Sequence, residues 1–305
     1  MDNTVYHIPA MLNECIEGLN INPSGIYVDV TFGGGGHSRA IMEKLGKGGK
    51  LYSFDQDIDA YSNRIEDERF TFVHSNFRYM KNFLRYHGVE KVDGILGDLG
   101  VSFHHFDAVE RGFTFRNDAP LDMRMNQSAS IDARHIVNEY SEEELCRILN
   151  RYGEIKRAYP FAKAICKSRE EKQIETTGEL LTAIRPLINP KQEKKELAQI
   201  FQALRIEVNG EMEVLRDFLA STKEVLKPGG RLVVLTYHSL EDRMVKNFIR
   251  SGNIEGEIEK DFFGNSHTPW RSITKGVATP TEEEIAINPR SRSAKLRVAE
   301  LIGSK

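Results

Sequence analysis

One stretch of the sequence constrains the fold more than any other: residues 26–37, which read I-Y-V-D-V-T-F-G-G-G-G-H. Its first five residues alternate in the pattern of a short, buried, β-branched strand. Four consecutive glycines follow, and Ala40, Ile41 and Leu45 then have helical spacing. A strand, a glycine turn and a helix in this order bring backbone N–H groups to a helix N-terminus, where nucleotide-like ligands bind.

An acidic residue at the end of the next predicted strand supports this interpretation. The strand pattern at residues 50–55 ends in Asp55. This aspartate lies about 20 residues beyond the turn, where a carboxylate accepts hydrogen bonds from both hydroxyls of a ribose. The turn lacks the lysine and hydroxyl of a nucleoside-triphosphate loop. Ser38 occupies the place of the small third residue in dinucleotide turns, which weakens the case for a dinucleotide without excluding it.

The remaining patterns predict a parallel, doubly wound α/β sheet. Strand patterns at residues 70–74 and 92–98 are separated by helical ones, as in sheets with helices on both faces. A long helical pattern covers residues 200–226 and precedes a fifth strand at 231–237. The alternation at residues 294–301 predicts an edge strand.

The strand rhythm is interrupted between the fourth and fifth strands. From residue 104 to about residue 198 no strand pattern is present. We therefore expect one α/β domain in two parts, residues 1–103 and 199–305, and an inserted helical domain at residues 104–198.

Composition limits the class of protein. The net charge of −3 argues against indiscriminate coating of nucleic acid. Residues 151–200 and 285–305 are locally basic, which fits either solvated helix faces or phosphate-binding patches. No apolar run is long enough for a membrane span and the N-terminus is unlike a signal peptide. The three cysteines form no C-x-x-C pair and the histidines lack zinc spacing, so we expect a cytoplasmic protein with reduced thiols and no metal.

Three side chains near predicted strand ends are candidates for chemistry. Asp98 ends the fourth strand, where an acceptor must arrive, and a carboxylate that accepts N–H bonds localises the lone pair of an exocyclic amine. Asp98 could equally hold the amino-acid end of a cofactor or have no role. His238, after the fifth strand, either contacts the substrate or holds the following turn. Phe77, after the third strand, suits stacking on a flat ring as well as the core.

S-adenosylmethionine fits these features best among the cofactors considered. It requires ribose recognition and close backbone approach without a pyrophosphate cradle, and Asp29, the glycine turn and Asp55 meet those needs. The residues alone leave open an NAD-dependent dehydrogenase, a cofactor-binding module that does not turn over, and a methyltransferase acting on DNA or a small amine.

Six motifs in fixed order resemble the MraW family of ribosomal RNA small subunit methyltransferases and cover nearly the whole chain. They are T-F-G-G-G-G-H at 31–37, D-L-G-V-S at 98–102, R-G-F-T-F-R-N-D-A-P-L-D-M-R-M at 111–125, F-Q-A-L-R-I-E-V-N at 201–209, H-S-L-E-D-R at 238–243 and N-P-R-S-R-S-A-K-L-R at 288–297.

The resemblance implies a Rossmann-like class I S-adenosylmethionine-dependent methyltransferase sheet with a helical insertion. The implied reaction is methyl transfer to N4 of one cytidine in the decoding region of 16S ribosomal RNA, in the small ribosomal subunit. No membrane partner is expected, and a homodimer is left open. His105 stands where the family usually has glutamine. By resemblance, the cofactor contacts fall on Gly35, Gly36, His37, Asp55, Phe77, Asp98 and His105.

The substrate side is assigned by residue type. An RNA base is modified only when its edge is unstacked, and cationic and aromatic side chains hold such a base and its phosphates. We hypothesise that one loop and the basic helical insertion form the RNA side of the cleft. The loop residues are Arg111, Phe113, Phe115, Arg116 and Arg124.

Overall fold

The computed structural model describes residues 9–101, 108–258 and 268–303. The chain forms two compact units. One unit comprises Met1–Gly100 and Met212–Lys305, and the other comprises Val101–Glu211. Within the described ranges, no helix has the length and apolar character needed to cross a membrane.

The first unit is built on a seven-stranded sheet. Its strands are β1 (Ile26–Asp29), β2 (Lys50–Asp55), β3 (Phe70–His74), β4 (Val92–Asp98), β5 (Leu226–Thr236), β6 (Trp270–Ser272) and β7 (Lys295–Leu301). They are arranged in the order β3-β2-β1-β4-β5-β7-β6. Strands β1 to β5 are parallel, whereas β7 is antiparallel to both of its neighbours. This order with an antiparallel β7 is that of class I S-adenosylmethionine-dependent methyltransferases, and it confirms the predicted fold.

Helices accompany the strands of this unit in the chain. The α-helices are Leu12–Leu19, Gly36–Lys44, Met80–Tyr86, Glu211–Val225, Ser239–Ser251 and Glu282–Ile287, and the 3₁₀ turns are Ile58–Asn63, Phe77–Tyr79 and Pro289–Ser293. The helix Leu12–Leu19 buries Cys15 and Leu19 in a cluster with residues of β1, β4, β5 and β7. Burying this apolar face stabilises the short helix, which would be marginal in isolation.

Close packing between β1 and β4 depends on a glycine. The ring of Tyr27 is 1% exposed and lies over Gly94, its parallel partner in β4. A Cβ atom at Gly94 would come within 2.8 Å of that ring and 3.1 Å of Leu19. The Tyr27 hydroxyl also accepts a hydrogen bond from the Asn22 amide at 2.7 Å, so the ring has little room to move.

Three predicted elements differ from the observed ones. Strand β5 begins at Leu226, earlier than predicted, and a register shift lies between Val92 and Gly94 of its partner β4. The predicted helix at 200–226 is two helices, because Gly210 adopts a left-handed conformation at φ 58°. Strand β7 was expected at the edge of the sheet but is flanked by β5 and β6. The edge position was wrong because β6 has only three residues, too few for a recognisable alternation.

The second unit consists of helices and turns. Its α-helices are Ala133–Glu139, Glu142–Arg151, Ala158–Glu171, Thr177–Ile184 and Glu193–Asn209, and its 3₁₀ turns are Val109–Arg111, Arg185–Leu187 and Pro190–Gln192. The helix Glu193–Asn209 packs on Ala133–Glu139 and Glu142–Arg151. Its apolar face is therefore buried in this unit, which ends at Glu211 rather than near residue 198.

We expect Gly94→Ala to destabilise the first unit by about 1–3 kcal/mol, because the added methyl group meets a ring that cannot withdraw. Urea unfolding of the two proteins measures the difference. Gly48→Ala is the matched control, since a Cβ there meets nothing closer than 3.8 Å. Equal stability of Gly94→Ala and the wild-type protein would show that the Tyr27 ring moves to accommodate the added methyl group.

Candidate active site

The glycine turn packs closely against neighbouring side chains at Gly35 and Gly36 and is open at Gly34. Gly33 and Gly35 have φ of 50° and 77°, which side chains other than glycine rarely adopt. A Cβ at Gly35 would come within 2.9 Å of the Phe32 ring, and one at Gly36 within 2.8 Å of Pro9. At Gly34 a Cβ would meet nothing within 4 Å. The turn leads into the helix Gly36–Lys44, whose first N–H groups have no partner within the helix, so a ligand can approach the backbone here.

Asp29, which ends β1, is fully buried and organises the turn from inside. Its Oδ2 accepts a hydrogen bond from the Ser38 hydroxyl at 2.6 Å, and its Oδ1 accepts one from the Thr31 amide at 3.1 Å. Ser38 also lies 2.8 Å from the hydroxyl of Ser53 in β2. Burial raises the pKa of Asp29, although these hydrogen bonds and His37 oppose the rise. Ser38, which the sequence presented as a departure from dinucleotide turns, is therefore the partner of a buried carboxylate.

Asp55 lies at the end of β2 beside the turn, as its spacing predicted. Its Oδ2 accepts a hydrogen bond from the Gly33 amide at 2.8 Å, and its Oδ1 accepts one from the Asp57 amide at 2.9 Å. A carboxylate accepts up to about four hydrogen bonds, so the group that holds the turn can also accept ribose hydroxyls. Because Asp29 is buried and Asp55 is only half-buried, Asp55 is the better placed of the two to meet a ligand.

Phe77 begins the 3₁₀ turn that follows β3. Its ring is half-buried and packs edge-on against Phe218, with the ring centroids 5.4 Å apart. The preceding Asn76 caps the turn and donates a hydrogen bond from Nδ2 to Gln56 Oε1 at 2.8 Å. The side chain is thus fixed beyond the carboxyl end of its strand, on the same edge of the sheet as Asp55.

Asp98 ends β4, and several groups hold it in place. Its amide donates a hydrogen bond to the Thr31 hydroxyl at 2.7 Å. The Tyr237 hydroxyl donates one to Asp98 Oδ1 at 2.6 Å, while Nδ1 of His37 lies 3.8 Å from Oδ2. The Asp98 side chain is 24% exposed and that of His37 is 5% exposed. One carboxylate oxygen is therefore occupied by Tyr237, and the other faces His37.

The surroundings of Asp98 favour its protonated form. Burial raises its pKa, as do the negative charges of Asp29 and Glu241, against a lowering by His37 and Tyr237. Burial and the charge of Asp98 raise the pKa of Tyr237 well above its usual value. Tyr237 thus keeps its proton and remains a donor to Asp98. Sequence reasoning missed Tyr237, because its contact with Asp98 requires β4 and β5 to be neighbours in the sheet.

His238, the second predicted catalytic residue, is the N-cap of the helix Ser239–Ser251. Its Nδ1 accepts a hydrogen bond from the Glu241 amide at 3.4 Å, and Glu241 Oε2 accepts from the His238 amide at 3.3 Å. Glu241 Oε2 also accepts from the Tyr237 amide at 2.9 Å. Two roles were predicted for His238, and this geometry favours the one in which it holds the following turn. The same hydrogen bonds fix the backbone at Tyr237. A substrate contact by His238 stays a prediction.

The predicted RNA-binding loop lies in the second unit, where most of its side chains pack internally. The Arg111 side chain is buried and donates hydrogen bonds to the carbonyls of Arg124 and Met125 at 2.8 and 3.2 Å. The guanidinium of Arg124 pairs with Asp122 and also donates to the Ala129 carbonyl. These two arginines therefore hold the loop in shape.

The remaining three candidates differ in exposure. Phe113 is 5% exposed, and Phe115 packs edge-on against Phe201, with centroids 5.4 Å apart. Arg116 is exposed, which makes it the member of the set best placed to meet a phosphate. His105, assigned to the cofactor by resemblance, lies outside the described residues, as does Ser102 of the motif that begins at Asp98.

Comparison with known proteins identifies the family. The model of the MraW methylase family matches residues 4–302. The chain belongs to the MraW methylase family. Ribosomal RNA small subunit methyltransferase H of Bacteroides thetaiotaomicron is 60% identical to this MraW chain over 299 residues, 98% of each chain. The Porphyromonas gingivalis protein of the same name is 57% identical over 304 residues, again 98% of each. These matches confirm the resemblance seen in the six motifs.

A solved structure is similar to this MraW chain only distantly. An rRNA methylase from Streptococcus thermophilus is 13% identical, with a TM-score of 0.41 over 96% of this chain and 94% of that one. A likeness of this size carries no argument about function. The roles of individual site residues in this chain are therefore argued from its own geometry.

The environment of Asp98 predicts a cost in stability. Because the folded state raises this pKa from its usual 3.8, folding binds a proton here more tightly than the unfolded chain does. That stabilisation is complete below the unfolded pKa and is lost as the pH rises through the folded pKa. Asp98→Asn should therefore be more stable than wild type at neutral pH, by about 1–2 kcal/mol. The advantage should shrink towards about pH 4.

Thermal unfolding of both proteins across that pH range measures the effect. Asp242→Asn is the control of opposite sign. Burial of Asp242 is outweighed by Arg297 and Lys295, which lower its pKa, so its loss should destabilise the protein at neutral pH. A less stable Asp98→Asn variant at neutral pH would show that attraction to His37 and Tyr237 exceeds the desolvation of the carboxylate.

Proposed function

We propose that this chain transfers a methyl group from S-adenosylmethionine to the exocyclic N4 of one cytidine in the decoding region of 16S ribosomal RNA. Membership of the MraW methylase family and the names of its relatives support the reaction class and the ribosomal substrate. The observation that carries the proposal is the partly exposed Asp98 carboxylate at the carboxyl end of β4. Tyr237 donates a hydrogen bond to the carboxylate, and the backbone amide of Asp98 donates one to the Thr31 hydroxyl.

The residues at the carboxyl edge of the sheet fit the cofactor. When bound, S-adenosylmethionine supplies a methyl group on a positively charged sulfur. Gly34 leaves open space beside the turn, and the N-terminus of the following helix presents backbone N–H groups. The Asp55 carboxylate suits two ribose hydroxyls, and the Phe77 ring suits a flat base. Gly35, Gly36 and His37 act here through their backbone, since the His37 side chain faces Asp98.

Asp98 is proposed to activate the amine. The lone pair of a cytosine N4 amine is delocalised into the ring, which makes the neutral amine a poor nucleophile. When the amine N–H donates a hydrogen bond to the Asp98 carboxylate, the lone pair becomes localised on nitrogen for in-line attack on the methyl group. Tyr237 holds Oδ1 at 2.6 Å, so that the amine meets a carboxylate of fixed orientation. Orienting the reacting groups in this way lowers the barrier beyond what charge alone supplies.

The test is methyl transfer to small ribosomal subunits. Subunits from cells that lack this gene, and naked 16S RNA, are incubated with labelled S-adenosylmethionine and the label is mapped. We expect label on N4 of one cytidine in the subunits from wild-type protein. Asp98→Asn should bind the cofactor and lose transfer by about 10²-fold or more, because a polarising group contributes that much. Label on another atom would change the acceptor, and bound cofactor without any label would favour a binding module.

We also propose that the helical unit contacts the RNA, with Arg116 as a phosphate contact. Arg116→Ala should weaken RNA binding and reduce the slope of log affinity against log salt by about 1. Arg116→Lys, which retains the charge, is the matched control and should keep the slope. Filter binding with the 16S RNA substrate at several salt concentrations measures both. An unchanged slope in Arg116→Ala would remove this residue from the interface.

A further inference from the structure

The buried His37 ring lies between the Asp98 carboxylate and a backbone carbonyl, with one ring nitrogen near each. Nδ1 of His37 lies 3.8 Å from Asp98 Oδ2, and Nε2 of the same ring lies 3.1 Å from the carbonyl oxygen of Ala10. The ring is 5% exposed, so its hydrogen-bond partners are set by the surrounding protein and not by water. Neither the amine activation by Asp98 nor the backbone of the glycine turn explains why an imidazole is buried here.

The Ala10 carbonyl sets the tautomer of His37. A carbonyl oxygen only accepts hydrogen bonds, so Nε2 must carry a hydrogen to make this contact. In the neutral imidazole the other nitrogen, Nδ1, is then an acceptor with its lone pair directed towards Asp98.

The segment that carries Ala10 is itself held in place. The Met11 amide donates to Glu284 Oε1 at 2.7 Å, and Pro9 packs against Gly36. The carbonyl is thus a fixed partner for the ring.

We propose that His37 takes up, through Asp98, the proton that leaves the substrate amine. This inference rests on the proposed function. The amine nitrogen forms a bond to the methyl carbon while the carbon–sulfur bond breaks and its electron pair goes to sulfur, which becomes a neutral thioether. The N–H proton passes to Asp98 Oδ2 and then to His37 Nδ1. Asp98 returns to its charged form, and the imidazolium releases the proton to solvent after turnover.

The groups around the pair support the first transfer, from the amine to Asp98. Burial and the charges of Asp29 and Glu241 raise the pKa of Asp98, which makes the carboxylate a better proton acceptor. Asp29 and Asp98 both interact electrostatically with His37. A distance of 3.8 Å is long for a hydrogen bond, but such contacts tighten when a substrate is bound.

The other titratable groups at this place are poor acceptors. Tyr237 donates a hydrogen bond to Asp98, and burial and the Asp98 charge keep its pKa high. Burial raises the pKa of the Cys15 thiol, as do Asp98, Glu14, Asp29 and Glu284, so this thiol stays protonated. Asp29 is fully buried behind Ser38. Glu241 also places negative charge near Asp98, but its Oε2 accepts hydrogen bonds from the amides of Tyr237 and His238. Among the described residues, His37 is the base whose ring nitrogen lies 3.8 Å from the Asp98 carboxylate.

The decisive variant is His37→Gln. A glutamine amide can still donate to the Ala10 carbonyl but offers no basic nitrogen towards Asp98. Single-turnover methyl transfer is measured between about pH 5 and 9, where a histidine changes its charge. In the wild-type protein the rate should rise with pH, because a base accepts a proton only in its unprotonated form. In His37→Gln that rise should disappear, and the rate at neutral pH should fall about 10²-fold. Cofactor affinity should be unchanged, because the backbone of residue 37 is retained.

Two further measurements separate the possible outcomes. His87→Gln, an exposed histidine after the helix Met80–Tyr86, is the control and should match wild type in rate and pH profile. Nitrogen NMR of histidine-labelled protein should show hydrogen on Nε2 of His37 and none on Nδ1 at mildly alkaline pH, a result that does not depend on activity.

A wild-type rate and profile in His37→Gln would overturn the proton transfer alone, as would a hydrogen on Nδ1 or a loss of cofactor affinity. If the wild-type protein labels no RNA, the proposed function is contradicted. The NMR measurement of the His37 tautomer would still test the protonation state that the proton transfer requires.

Discussion

The glycine turn depends on one fully buried carboxylate, that of Asp29. Asp29 binds the hydroxyl of Ser38 and the amide of Thr31, and Thr31 in turn accepts the amide of Asp98. Through these bonds one side chain joins the first strand, the turn, the following helix and the fourth strand. Hydrogen bonds to a charged group contribute about 1.5–3 kcal/mol each, and leaving such a group unsatisfied costs more. The turn is therefore held in one conformation before any ligand arrives, which is the condition for rapid and specific binding.

Asp98 belongs to the same hydrogen-bond network but, unlike Asp29, is partly exposed. Burial raises its pKa, which is unfavourable for folding at neutral pH, while its partial exposure leaves the side chain accessible from solvent. Tyr237 donates a hydrogen bond to Oδ1 of the carboxylate, whereas His37 lies 3.8 Å from Oδ2, so the two oxygens have different neighbours. Perturbed carboxylates in such settings are typical of functional sites. The protein thus has two aspartates 69 positions apart in sequence, one buried beneath the turn and one partly exposed at the end of β4.

Features that depend on local spacing could be predicted from the sequence, and features that depend on distant pairing could not. The strand ends at Asp55 and Asp98 were found because each follows a clear apolar run, and the six motifs identified the family. The contact between Tyr237 and Asp98 was missed because it requires β4 and β5 to be neighbours across the helical insertion. Arg111 was a candidate for RNA contact because of its residue type, yet its guanidinium donates hydrogen bonds to backbone carbonyls inside the loop. Side-chain type indicates what a residue can bind, not whether its partner is RNA or its own chain.

The insertion of the helical unit between β4 and β5 has a kinetic consequence. These parallel strands pair along most of their length, yet more than a hundred residues separate them in the chain. Closing a loop of that size costs conformational entropy, and non-local pairing slows folding. The intervening unit contains helices stabilised largely by contacts among themselves, and domains of this kind fold as units. Early formation of that unit would shorten the effective loop, so that the second half of the sheet is completed last and the edge of β4 stays exposed until then.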